Sequence, residues 1–262
     1  TPRSICDAAS RALAAGDTSY THKRGIPELR QALIDYHRDL YGVVIADSRI
    51  AITSSGMNAM MLIVQTLVSA GDNVVCVTPV WPNIFAAIQI QGGIARHVPM
   101  TGTDHGWELD IGHLFAACDE RTRAIYLASP GNPTGWLMPE GQRRAVLAFA
   151  RQRGIALIAD EVYNRLIYDR RVAPSFLEIA EPGDPLFVVN SFSKTWAMTG
   201  WRVGWIVLPQ GLTDQLDRLI EFNTSGGQSF LQHGCIAAIR EGEPWVKWMV
   251  VRCKRGRDLV LG

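Results

Sequence analysis

Lys194 lies in the run Ser191-Phe192-Ser193-Lys194-Thr195-Trp196-Ala197-Met198-Thr199-Gly200-Trp201-Arg202-Val203-Gly204. Two apolar stretches that read as buried strands enclose it, Leu186-Phe187-Val188-Val189 and Trp205-Ile206-Val207-Leu208. A bare ammonium is costly to desolvate, so a lysine between buried strands calls for a chemical reason. Burial and neighbouring cations expose an amine's lone pair, which is what a lysine that condenses with a carbonyl needs. Arg202 follows eight residues on, among glycines that let backbone approach a ligand closely. Ser191 and Ser193 flank the lysine with hydroxyls. This combination fits an aldehyde that carries a phosphate. The plain structural alternative is a surface lysine at a strand end, with the arginine in a buried ion pair.

Other segments carry chemistry of their own. Ser54-Ser55-Gly56-Met57 leads from a short strand over 49–53 into an apolar helix over 58–68. A small-residue turn at a helix start gathers free N–H groups and the positive end of the dipole, which suits an anion; it also serves as an ordinary cap. Trp81 follows a strand over 73–77, and its ring can stack on a flat ligand or fill a core. Asn132 sits in the tight turn Ser129-Pro130-Gly131-Asn132-Pro133-Thr134-Gly135, after a strand over 124–128. Turns at strand ends are where α/β folds bind ligands, although Asn is also a common turn former. Asp160, followed by Glu161-Val162-Tyr163, ends a strand over 155–159. An acid there is costly unless it meets a cation. No His stands nearby at ligand spacing, so a metal site is not expected.

These segments need elements to position them. Apolar patterning predicts helices over 10–15, 84–90, 110–118, 139–153, 213–222 and 229–240, a further strand over 95–98, and a last helix from Pro244. Gly25-Ile26-Pro27-Glu28 opens another helix, with Pro27 suited to the first helical position and Leu29, Leu33, Tyr36 and Leu40 on one face. Strands alternate with helices throughout. The expected fold class is therefore α/β, a mostly parallel central sheet with helices on both faces.

The pattern Ser-x-Ser-Lys-x-x-Ala-Met-x-Gly-x-Arg-x-Gly resembles the lysine segment of the class I/II aminotransferases, pyridoxal 5'-phosphate (PLP) enzymes of fold type I. Pro-x-Asn-Pro-Thr-Gly around Asn132 is similar to a second family motif. The resemblance runs from about Ser10 to the end and covers the family's large, PLP-binding domain. It implies that Lys194 forms the internal aldimine and that Ser191, Ser193 and Arg202 bind the cofactor phosphate, with backbone N–H groups of Ser55, Gly56 and Met57. It implies that Trp81 stacks on the pyridine ring, that Asn132 and Tyr163 meet the ring oxygen, and that Asp160 pairs with the ring nitrogen. Glu161 is expected to be structural. Tyr20-Thr21-His22-Lys23-Arg24-Gly25-Ile26-Pro27 looks like the segment whose Tyr crosses to the partner's PLP phosphate, so Tyr20 implies a homodimer. Residues 1–243 would form the large domain, and 244–262 would begin the helix leading to a small domain that is absent. No residue can be assigned to that domain's carboxylate-binding arginine.

Composition narrows the field. The chain has 262 residues, 47% hydrophobic and 19% charged, with net charge +1. Charge therefore makes no case for nucleic acid or an anionic membrane as partner. No apolar run approaches the ~20 residues a bilayer span needs. Five cysteines without paired spacing point to reduced thiols and a cytoplasmic setting. No signal peptide is visible, although the chain starts at Thr1 without Met. The resemblance, rather than composition, implies the activity: transfer of an amino group between an L-amino acid and a 2-oxo acid, with ping-pong kinetics. The alternatives are other PLP chemistry on the same scaffold, such as a carbon–sulfur β-lyase, or a catalytically incomplete PLP-binding fragment.

Overall fold

The computed structural model describes residues 1–262. In chain order the elements are helices α1 (Arg3–Ala14) and α2 (Pro27–Tyr41), strand β1 (Ile50–Thr53), α3 (Gly56–Leu67), β2 (Asn73–Thr78), α4 (Asn83–Ile90) and β3 (Ile94–Pro99). A hairpin of β4 (Thr101–Thr103) and β5 (Gly106–Glu108) follows, then α5 (Ile111–Ala116), β6 (Thr122–Ala128), α6 (Glu140–Arg153) and β7 (Ala156–Asp160). The last part contains β8 (Leu186–Ser191), α7 (Phe192–Thr195), β9 (Gly204–Val207), α8 (Thr213–Asn223), α9 (Ser229–Glu241) and α10 (Glu243–Leu261).

Seven strands make one sheet in the order β1-β9-β8-β7-β6-β2-β3. Only β9 runs antiparallel to its neighbours. The inner parallel strands β2, β6, β7 and β8 are covered on both faces, which is why they are largely apolar, whereas the edge strand β3 is mostly exposed. Successive side chains alternate between two cores. Val75, Ile125, Leu157 and Val188 join Leu33 of α2, Leu147 of α6 and Cys235 of α9 on one face. Val74, Ala124, Ile158 and Val189 join Ile63 of α3, Ile88 of α4 and Ile220 of α8 on the other. The expected α/β class is therefore the observed one.

Local signals explain most boundaries. Pro27 occupies the first helical position of α2, and Gly154 takes the left-handed conformation (φ 64°) that ends α6. Asp110 caps α5 by accepting the His113 N–H. Three differences stand out. α1 begins at Arg3, well before Ser10, although only Ile5 and Ala9 of it are buried. The exposed β4–β5 hairpin has no apolar alternation and was not expected. Between its two enclosing strands, the lysine segment begins with a single helical turn, Phe192–Thr195, that apolar patterning does not predict; Ser191 caps it, its Oγ accepting the Ser193 N–H. No helix is long and apolar enough to cross a membrane.

Candidate active site

The carboxyl ends of β6, β7 and β8 lie side by side, with Ala128 opposite Asp160 and Asp160 opposite Val189. Because β9 runs the other way, its first residue, Gly204, comes to the same edge, opposite Ser191 on one side and Thr53 on the other. Segments distant in sequence thus meet at one rim, the edge where open α/β folds bind ligands. A cavity of about 270 Å³ opens there. Gly56, Met57, Trp81, Asn132, Asp160 and Tyr163 line it, and Ser191, Ser193, Lys194 and Arg202 complete the wall that the sequence picked out.

One end of the cavity collects donors. Ser193 N–H donates to Ser191 Oγ at 3.2 Å, and the two hydroxyls lie 3.0 Å apart. Arg202 Nη1 is 3.5 Å from Ser193 Oγ and donates to Thr199 O at 2.6 Å. Gly56 and Met57, at the first turn of α3, have no earlier turn to accept their N–H groups. The approach of α3 to β8 and β9 depends on Gly204. A Cβ there would sit 2.6 Å from Gly56 N and 2.8 Å from Asn190 O, inside any normal contact. Ser55 itself does not line the cavity: it is buried, and its Oγ accepts the Asn58 N–H at 3.0 Å as the α3 cap.

The other end is acidic. Asp160 is buried, with Oδ1 accepting the Val162 N–H at 3.1 Å and Oδ2 accepting the Tyr126 hydroxyl at 3.0 Å. Burial pushes its carboxyl up to about 6, against the partly opposing effects of these hydrogen bonds and the Lys194 charge. No cation of the chain lies within ion-pair distance of it. Lys194, half-buried on α7, places Nζ 5.7 Å from the Tyr163 ring centroid and likewise has no carboxylate partner.

Glu161 turns away from the cavity. Its Oε1 accepts the Phe176 N–H at 2.9 Å, and burial pushes it up to about 7. Tyr20 lies outside the cavity, 93% exposed between α1 and α2. Trp81 is half exposed at the mouth. Met60, Asn83, Val162 and Thr199 also line the wall without having been expected there. Tyr126, buried, stands behind Asp160 and is not among the residues the motifs single out. Its signal in the sequence is a hydroxyl in the middle of a buried strand, which needs a partner.

This arrangement, a lysine and a buried acid facing one cavity at the carboxyl edge of a mostly parallel sheet, is that of an α/β fold with a ligand-sized site. The family model for aminotransferase class I and II matches residues 1–261, and the chain belongs to that family, whose members are PLP-dependent transferases. It is 30% identical over 266 residues to a probable aspartate aminotransferase of Methanocaldococcus jannaschii, covering 99% of this chain and 69% of that one. It is 33% identical over 264 residues to an arginine–pyruvate transaminase of Pseudomonas aeruginosa, covering 100% of this chain and 66% of that one. An aspartate aminotransferase structure from Thermus thermophilus (tetra mutant) superposes with a TM-score of 0.93 at 30% identity, over 100% of this chain and 72% of that one. An alanine aminotransferase structure from Pyrococcus furiosus gives a TM-score of 0.92 at 26% identity, over 99% and 66%. The chain thus spans about two thirds of the length of these relatives, and the rest of each has no counterpart in it.

Proposed function

We propose that this chain binds PLP at Lys194 and transfers an amino group between an L-amino acid and a 2-oxo acid. One observation carries the reading: across a single cavity, a lysine without a carboxylate partner faces a buried carboxyl without a cation. A group bearing an aldehyde and a protonated ring nitrogen would supply both missing partners. The donor-lined end supports the same fit, since Ser191, Ser193, Arg202 and the first turn of α3 suit a phosphate. The close approach of α3 to β8 and β9 that Gly204 permits brings that end together.

In this reading Lys194 and the phosphate donors, including the backbone at Gly56 and Met57, hold the cofactor, while Ser55 caps α3 behind them. Trp81 covers its ring, and Asn132 and Tyr163 bond its ring oxygen. Asp160 faces its nitrogen with negative charge. When bound, PLP supplies the electron sink that makes the substrate α-carbon acidic. Lys194 Nζ then takes the proton from that carbon as general base and returns one as general acid. Asn132 also orients the substrate carboxylate. A 2-oxo acid leaves before the second one enters, which gives ping-pong kinetics.

With the purified chain, PLP and paired amino and oxo acids, isotopic amino exchange is expected. Lys194→Ala should reduce it by on the order of 10²–10⁴-fold. Exchange at the parental rate in that variant would remove Lys194 from the mechanism, and ammonia release without exchange would instead indicate lyase chemistry.

The exposed Tyr20 supports a homodimer in which it reaches the partner's cofactor phosphate. Sedimentation should then give twice the 28.9 kDa chain mass, and a monomer at micromolar concentration would dismiss this role. We also read 1–243 as the PLP-binding domain, with α10 leading away from it. The free thiols of Cys6, Cys76, Cys118, Cys235 and Cys253 favour a cytoplasmic setting.

A further inference from the structure

Asp160 lines the cavity in front and is held from behind. Tyr126 lies on β6, opposite Ile158 of β7. Since side chains alternate, Tyr126 and Asp160 share one face of the sheet, diagonal to each other across the β6–β7 pair. The Tyr126 ring is wholly buried in the core formed with Val74, Cys76 and Val189. Its hydroxyl ends 3.0 Å from Asp160 Oδ2. The Val162 N–H takes the other oxygen, Oδ1, at 3.1 Å. One donor on each oxygen fixes the rotation of the carboxyl plane, and each oxygen keeps a lone pair for a further partner. The ring has little room to move, because protein cores are close-packed. Burial, reinforced by the Asp160 charge, holds the Tyr126 phenol well above its ordinary range, so it remains a donor across the accessible pH range.

We propose that Tyr126 is a positioning residue: its hydroxyl, anchored by the core, fixes the orientation of the Asp160 carboxylate toward the cavity where a cationic ring nitrogen would bind. This rests on the proposed pairing of Asp160 with the PLP nitrogen and adds the group that makes the pairing directional. The charged and titratable groups around Asp160 are Tyr126 from β6 and Lys194 from α7, with Cys76 of β2 behind Tyr126. Of these, only Tyr126 donates a hydrogen bond to the carboxylate. Removing the donor should disfavour the charged form and loosen the geometry, without touching the lysine or the phosphate end of the cavity.

The test uses the full chain. The Asp160 carboxyl is followed by carbon-13 NMR in the PLP-free protein, with Asp160→Asn to assign the signal, and PLP affinity is measured by absorbance titration. Tyr126→Phe keeps the ring and removes only the hydroxyl. It should raise the Asp160 midpoint by about one pH unit or more and weaken PLP about tenfold, with Lys194 still the residue labelled after borohydride reduction. An unchanged midpoint together with unchanged PLP affinity would overturn the proposal. If Tyr126→Phe does not fold, the parental chain decides. The Tyr126 Cζ signal should shift with pH at the Asp160 midpoint and stay flat in Asp160→Asn; a flat signal in the parental chain would also overturn the proposal. Failure of the underlying reading looks different: Asp160→Asn itself would then leave PLP affinity intact.

Discussion

Adjacent acids of one segment have different fates. Asp160 continues the alternation of β7 onto the face of Ile158 and opens on the cavity, whereas Glu161 turns to the Phe176 N–H. The strand end marked where an acid would need a partner, but the division between the two acids came from the family resemblance. The Tyr126 contact was not legible, because it depends on the register of β6 against β7, which no spacing within one segment reports. Burial raises both carboxyls, Asp160 to about 6 and Glu161 to about 7. The folded state therefore holds protons that the unfolded state has lost. The stability tied to these groups is fully present below their unfolded values near pH 4 and is lost as pH rises through 6 and 7. Asp160→Asn removes its part of this dependence. In PLP-free protein, the stability of the variant relative to the parent should increase by about 2–3 kcal/mol between pH 4 and pH 7.5. Urea unfolding at the two pH values measures this difference, and an equal relative stability at both would show that Asp160 titrates normally.

At the scale of elements, the site depends on how closely α3 can approach the sheet. Gly204 has an ordinary φ, so space alone demands glycine there: a methyl group would meet Gly56 N, Ser55 C and Asn190 O, all backbone. Gly204→Ala should push the α3 start away from β8 and β9, cost about 1–3 kcal/mol of stability by overpacking, and weaken PLP binding at the donor-lined end. Urea unfolding with PLP titration checks this, and a variant with parental stability and affinity would mean the approach is not tight. The sequence pattern located Gly204 in the right segment but not its reason, which lies in a neighbour about 150 residues away. The crossover helices and parallel strands were legible because apolar runs of the right length alternate with caps and turns. The β4–β5 hairpin was not, since its strands are three residues each and exposed. The first turns of α1 bury little, and the turn α7 is too short to show a helical period.

For the whole molecule, two cores separated by one sheet hold a rim assembled from segments spread between the α3 start and Arg202. The fold class followed from the alternation of elements. The convergence of the site followed only with the strand order, because it is the antiparallel β9 that returns Gly204 and Arg202 to the edge reached by β1 and β8. The central claim is that this rim selects one lysine for PLP. Incubation with PLP, borohydride reduction and peptide mapping test it directly, because the other lysines, Lys23, Lys247 and Lys254, lie outside the cavity. The account predicts a single pyridoxyl group on Lys194, absent from Lys194→Ala. Label spread over Lys23, Lys247 and Lys254, at the same level in both proteins, would contradict it.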